Sequence, residues 1–486
     1  MATLTDLGNY QRGLQLAEAG KYQEGLNCIL EHLRAEPNDV QALNDAGAIL
    51  HCLGRTDDAI TYLSRARALD VNNGEIAWNL VEAYLGGALA SEAAALFDDM
   101  EKLGILNIDV LNRTATMLLD QGKKGEAIEV LLRSYRLWPE QEVLKPILDV
   151  IRSKRPKVAF VRCGSGDDGA LADVCEFVQQ RFATQFHVGG PERLAELMQW
   201  SDVCWLDGGG EMIVEASRRV ERRTMIVSLR RCDVREHWAK QVQWENVDVL
   251  VQIGSSAVEE TLLPQVPDLH SRTRLVVVPS GVNLNRYLFR RRTRGKSLAC
   301  IGCLTMEANP AFLLQCMQKL HYIDPQYHMY FSGRFESPSL EQYVRYTVQT
   351  LDLADVVFFE PHPGELNAWL SDKHFVVAGG IGENQVEALL AGMACGLKPV
   401  VHSFPGAAKL FPARHLFNIA EQFCEQVLSQ DYEPESYRRF VQERYPLQEQ
   451  LKTVNAILSQ LETEIELESL AASPGWQQSL ETVKPL

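Results

Sequence analysis

Four stretches near the start of the chain keep one spacing. "AGKYQEGLNCIL" (19–30), "LGRTDDAITYLS" (53–64), "GALASEAAALFD" (87–98) and "QGKKGEAIEVLL" (121–132) lie 34 residues apart. Gly20, Gly54, Ala88 and Gly122 form one column, and Gly25, Ala59, Ala93 and Ala127 another. Pro37 and Pro139 hold the same place three periods apart. A repeat of this size is one supersecondary unit that cannot bury its apolar face alone, so the copies must stack. Small residues at fixed columns let two helices of a hairpin approach closely, and proline, lacking an N–H, ends the second helix. The period predicts an α-helical solenoid over residues 1–152.

These columns resemble tetratricopeptide repeats, about four of them. The resemblance implies a concave face that binds a protein or peptide partner. Bracing the rest of the chain, or self-association into an oligomer, is the second reading of such a stack.

After "RSKRPK" the pattern changes. Short apolar runs alternate with amphipathic stretches: "KVAFVRC" (157–163), "DVCWLD" (202–207), "TMIVSL" (224–229), "DVLVQI" (248–253) and "RLVVVP" (274–279). A second series runs through "SLACIG" (297–302), "HMYFSG" (328–333), "DVVFFE" (355–360), "HFVVAG" (374–379) and "LKPVVH" (397–402). Buried runs separated by helices indicate parallel βαβ units. Two doubly wound α/β domains are expected, 153–285 and 286–456, followed by a tail over 457–486. In such sheets ligands lie outside the carboxyl ends of the strands, so two facing sheets make a cleft the natural site.

A net charge of −16 leaves no surplus of Lys and Arg to neutralise phosphates, which argues against general nucleic-acid binding. The basic run "RYLFRRRTRGK" (286–296) reads as a linker. The start lacks the basic and apolar regions of a signal peptide, and no run approaches the ~18 apolar residues of a membrane span. Eleven cysteines, read as an unpatterned set of reduced thiols, suggest a cytoplasmic setting.

"GSGDDG", Gly164 to Gly169, imitates a dinucleotide fingerprint. That fingerprint wants an acid ending the next strand to hold a ribose. "TQFHVGG" offers His187 and glycines instead, and Asp167 and Asp168 would repel a pyrophosphate. Gly164, Gly166, Gly208 and Gly209 are therefore expected to line the first α/β domain's side of the cleft as turns. The other side centres on "GGIGENQVEALLAGMACGLKPVVHSFPGA" (379–407), a glycine-rich turn before an apolar-faced helix. Glu383 sits where turn meets helix.

This last stretch resembles the signature of the retaining GT-B glycosyltransferases of family 4. "VVPSGVNLNRY" (277–287) and "ANPAFLLQCMQKLHYIDPQYHMYFSG" (308–333) resemble the same family's donor domain. "ELMQWSDVCWLDGGGE" and "KQVQWENVDVLVQIGSS" look like its acceptor half. The resemblance implies a GT-B fold, two facing Rossmann-like domains, that moves a sugar from a nucleotide-sugar donor with anomeric retention. Backbone N–H groups at the helix mouth (Gly382, Asn384, Gln385, with Gly302 facing them) would hold the diphosphate without a metal or other cofactor. Glu383 matches the family's first glutamate, which accepts hydrogen bonds from sugar hydroxyls.

The chain departs from that pattern. The family's second glutamate falls on Ala391, and its Arg and Lys after the first donor strand fall on Cys303 and on Glu307 or Ala308. Arg230 stands where the acceptor half often has a histidine. Charge-assisted hydrogen bonds are worth ~1.5–3 kcal/mol each, so replacements are expected. Arg334 and Arg230, with neighbouring Arg231, are candidates to stabilise the leaving group. Lys409 could reach the donor, Glu387 could take the ribose contact, and His362 could line the cleft. Lys398 reads as a cap, and Trp205 and Trp369 as core. The expected activity is sugar transfer, with the protein bound by the repeats as a candidate acceptor. The alternative is a degenerate transferase serving as a non-catalytic binding or assembly subunit.

Overall fold

The computed structural model describes residues 8–163, 169–219, 223–234, 237–254, 257–361 and 364–471. Gly164, Gly166, His362 and the last fifteen residues of the tail lie outside them. The chain divides into two compact units, one holding the helices up to Ser153 and one holding the sheets.

In the helical unit the pairs are Asn9–Glu18 with Tyr22–Ala35, Val40–Cys52 with Thr56–Leu69, and Ile108–Asp120 with Lys124–Leu137. The remaining repeat pairs Gly74–Gly86 with a broken partner, Ala90–Ala94 and Phe97–Lys102. The spacing of 34 recurs in the caps. Asp39, Asn73 and Asn107 each accept a backbone N–H at the start of a first helix, satisfying donors that the helix itself leaves open. Repeats are keyed to one another by side-chain amides: Asn79 Nδ2 donates to Asn44 Oδ1 at 2.9 Å, and Asn44 Nδ2 to Glu75 Oε1 at 3.0 Å.

The turn column explains its glycines. Gly20, Gly54 and Gly122 have φ of 78°, 73° and 75°, and Ala88 has been forced into the same left-handed bend at φ 57°. A Cβ there costs ~1–2 kcal/mol, partly offset by the looser unfolded chain of a glycine. Ala88→Gly is therefore expected to stabilise the helical unit by about 0.5–1 kcal/mol. A urea midpoint that fails to rise would contradict the assignment of strain to this turn.

The second unit contains two six-stranded sheets, every pair of them parallel. The first has strands β1 (Val158–Arg162), β2 (Thr184–Val188), β3 (Val203–Asp207), β4 (Thr224–Leu229), β5 (Val249–Ile253) and β6 (Arg274–Val278), in the order β2-β1-β3-β4-β5-β6. The second has β7 (Ser297–Ile301), β8 (His328–Ser332), β9 (Val357–Glu360), β10 (Phe375–Ala378), β11 (Lys398–His402) and β12 (Leu416–Phe417), in the order β12-β11-β10-β7-β8-β9. Strand β12, only two residues long, carries too little pattern to be seen in the sequence. Alternate side chains face opposite helix layers. Ala159, Val161, Cys204 and Leu206 enter one core, while Phe160 and Trp205 stack at 5.2 Å on the other face. Trp205 is 1% exposed, a core residue as expected, and Trp369 is half-buried.

The chain passes between the two sheets twice, and the two passages touch. Val282 N–H donates to the Tyr445 carbonyl at 2.9 Å, and a side chain at Gly281 would meet Gln450 at 2.8 Å. After the second passage the helix Leu447–Ala471 returns to the first sheet, where Arg274 Nη1 pairs with Glu464 at 3.4 Å. The basic run is mostly structural: Arg292 donates to the carbonyls of Leu370, Ser371, Lys373 and Cys395.

Lys398 is buried and donates to the Gln426 carbonyl at 2.8 Å, in the last turn of the helix Ala420–Leu428. It caps that helix, where a cation is favoured. Nearby His415 is also buried, and burial pushes its imidazole down to about 4. The folded chain excludes a proton that the unfolded chain binds below about 6.5. Stability contributed here is present above pH 6.5 and falls as pH drops toward 4, by at most about 3 kcal/mol. His415→Phe is expected to flatten that part of the stability profile; an unchanged slope between pH 7 and 4.5 in denaturant melts would contradict it.

Candidate functional site

Between the carboxyl ends of the two sheets lies a pocket of about 310 Å³. Arg230 and Ser280 line it from the first sheet's side, and Glu307, Glu383 and Glu387 from the second's. Tyr445, from the second passage between the sheets, closes one edge.

The signature stretch builds its wall. Strand β10 ends at Ala378, a glycine turn follows, and a 3-10 turn, Glu383–Gln385, feeds the helix Val386–Ala394. Gly392 lets this helix lie against β10, since a Cβ there would sit 2.6 Å from Val376 Cβ. The turn is fixed from within. Gly380 N–H donates to Gln385 Oε1 at 3.0 Å, and Gln385 Nε2 reaches Cys300 Sγ at 3.5 Å. His402 Nδ1 donates to the Gly380 carbonyl at 3.1 Å. Ile381 N–H donates to the Glu307 carbonyl at 3.0 Å, which ties the loop after β7 to the same turn.

Of the sequence-selected residues, Gly382, Glu383, Asn384, Glu387 and Arg230 come together in this pocket. Gln385 does not: it is buried, and its amide is consumed in holding the turn. Arg334 is exposed and absent from the lining; its carbonyl accepts from Leu304 N–H at 2.9 Å as the strand ends. Lys409 is exposed, and its neighbour Leu410 faces the pocket instead. Gly302 bends at φ 114° with open space where a Cβ would be, beside rather than in the pocket. Gly208 and Gly209 serve packing: added Cβ atoms would lie 2.7 Å from the Cys163 carbonyl oxygen and 2.3 Å from that of Asp233. Ala391 is buried, so no carboxylate occupies the place of the family's second glutamate.

Arg230 does not stand where a leaving group alone would meet it. Its Nε lies 3.7 Å from Glu387 Oε1 and its Nη1 3.9 Å from Asp207 Oδ1, so it joins the two sides of the cleft. Asp207, buried at the end of β3, also faces Arg162 Nε at 3.7 Å and accepts from Ser228 Oγ at 2.8 Å. Ser228 in turn accepts from Trp205 Nε1 at 2.9 Å. Among the described residues that line the pocket, three carboxylates, Glu307, Glu383 and Glu387, accompany one guanidinium, that of Arg230. Tyr445, whose hydroxyl donates to the Leu410 carbonyl at 3.0 Å, has its phenol pushed up by burial, with Glu383 adding to the shift.

Sequence reasoning did not select Ser280, Thr261, Tyr445 or Asp207. The acid ending "DVCWLD" was the one available signal, a charged residue closing an otherwise apolar strand. The thiols are less patternless than expected. Cys300 and Cys303 stand at C-x-x-C spacing, with Cys303 exposed and Cys300 pushed up to about 12 by burial. Among the described residues, one group has ligand atoms close enough for a metal: His32, Glu36 and Asp39, in the helical unit. Its His32 Nε2 and Asp39 Oδ2 already pair at 2.7 Å.

No protein-family profile matches the chain. Among curated proteins, human anaphase-promoting complex subunit 7 is 24% identical over 208 residues, 42% of this chain. The match spans only 36% of that relative's length. Among solved structures, HepE of Anabaena in complex with UDP and glucose superposes with a TM-score of 0.50 at 13% identity. It covers 63% of this chain and 100% of its own. The same protein in complex with UDP-glucose gives the same TM-score, identity and coverage. At that identity the likeness establishes fold. The fold is GT-B, two facing Rossmann-like domains, preceded by a tetratricopeptide-type solenoid. No described helix is long and apolar enough to cross a membrane.

Proposed function

We propose that the pocket at Glu383 takes a nucleotide sugar and that the protein transfers its sugar to an acceptor with retention at the anomeric carbon. The observation that carries this reading is the position of Glu383, a carboxylate at the mouth of the helix Val386–Ala394 in a pocket between two parallel sheets. The helix mouth can receive the diphosphate through backbone N–H groups, and Glu383 can accept hydrogen bonds from the sugar hydroxyls. No metal is needed in this reading. Arg230 is the cation nearest to meet the developing charge. UDP, named with HepE, is the first nucleotide to try. A cytoplasmic protein acceptor held by the repeats completes the proposal, by analogy of architecture. Calorimetry with UDP and GDP, followed by incubation with their sugars, tests it. Neither nucleotide binding nor sugar hydrolysis or transfer with any of them would defeat it.

Glu307 favours a second reading, a degenerate transferase that binds partners without turning over. An acid in the lining repels a diphosphate, and the described lining of the pocket sets three carboxylates against one guanidinium. Glu307→Lys is expected to tighten UDP binding roughly tenfold or more, the worth of one charge-assisted hydrogen bond. Unchanged affinity in that variant would mean that UDP phosphates do not lie beside this loop.

A further inference from the structure

A second cavity, of about 220 Å³, opens beside the first sheet at its β2 edge. Phe160, Phe186 and Val188 line it from the strands, and Leu171 and Ala172 from the helix Gly169–Arg181. The rings form a row. Phe186 and Phe160 stack at 5.3 Å with their planes 5° apart, and Phe160 continues onto Trp205 at 5.2 Å. The row ends in the open: Phe186 is 41% exposed and Val188 60%. Among the described residues, strand β2 is the edge of its sheet.

Apolar surface left at the lip of a cavity, with aromatic faces aligned, suits a flat apolar guest. A cavity of about 150 Å³ with apolar walls takes up benzene, so this one has room for a ring with substituents. Its polar lining is also specific. Asp207 and Arg162 lie in it, paired at 3.7 Å. Asp207 is the residue whose other oxygen faces Arg230, and Arg230 lines the nucleotide pocket. One carboxylate therefore borders the aromatic cavity and contacts the wall of the cleft.

We propose that this cavity seats a phenol-type aryl group, packed against Phe160, Phe186 and Val188, with its hydroxyl donating to Asp207. Calling that aryl group part of the acceptor rests on the transferase reading; its binding does not. A ring brought in from here lies beside the cleft in which the sugar would be held. The same chemistry can arrive on a small phenolic molecule or on a tyrosine side chain.

The test uses the full chain and two probes, p-cresol and N-acetyltyrosinamide, titrated by calorimetry, with cyclohexanol as an apolar control of similar size. Saturable binding at one site is expected, with cyclohexanol roughly 3–10-fold weaker for want of an aromatic ring's contact with Phe160 and Phe186. Ala172→Trp fills the cavity and is expected to abolish binding. Val188→Arg, at an exposed position that does not endanger folding, is expected to weaken it about tenfold. The tighter of the two probes identifies the source. Absence of binding by either probe, or equal affinity in wild type and Val188→Arg, would overturn the proposal. UDP titrated into the same samples reads the other pocket. UDP binding without p-cresol binding defeats the aryl site alone, and p-cresol binding without UDP binding keeps it while defeating the transferase reading.

Discussion

Glu383→Ala is expected to lower sugar transfer by about 10²–10³-fold, the range seen when one preorganised polar group is taken from a transition state. The fold should survive, because Glu383 is half-buried at the pocket wall and the turn around it is held by Gln385, His402 and Ile381. The loss should appear in kcat more than in KM, if the carboxylate grips the sugar more firmly as charge develops. UDP, which lacks the sugar, should bind the variant almost as well as the wild type. A transfer rate within threefold of wild type would remove Glu383 from the chemistry.

Trp205→Ala is expected to cost about 3–5 kcal/mol of folding stability, the range for deleting a large buried aromatic side chain. Trp205 fills the face of β3, stacks on Phe160, and donates to Ser228 Oγ. Its removal leaves a void and loosens the hydroxyl that in turn supports Asp207. The loss should be seen as a lower denaturant midpoint of the sheet-containing unit. A shift of less than about 1 kcal/mol would mean that neighbouring side chains collapse into the void, against the stiffness expected of a close-packed core.

The helical columns were legible because one period of 34 recurs in turns, small residues and caps, each constrained locally. Glu383 was legible for a similar reason: turn, acid and helix lie within a dozen residues. Tyr445 lies 62 residues further on, and only the return of the chain between the sheets brings it to the pocket. Ser280 and Thr261 likewise arrive from the other sheet, with no local pattern around them. Arg334 reads as a cleft residue because it follows a strand, yet it is exposed and lies outside the pocket's lining, its backbone paired with Leu304. Gln385 reads from the sequence as one of the groups at the helix mouth that hold the donor, but its buried side chain is spent on Gly380 N–H and Cys300 beneath the turn. Arg230 follows a strand end and lines the pocket. That it would be shared by Asp207 and Glu387 depends on two sheets meeting, which strand-end patterns do not encode.

The paired passages at Val282 and Tyr445 have a mechanical consequence. Two adjacent strands of backbone, hydrogen-bonded side by side, form a two-ply hinge. A single tether would let one sheet swivel and tip against the other in any direction. Two tethers define a line, and opening of the cleft is confined to bending about that line while torsion across it is resisted. A motion that parted Glu383 from Arg230 would be held to bending about that line, and the register between the two walls of the pocket would be kept.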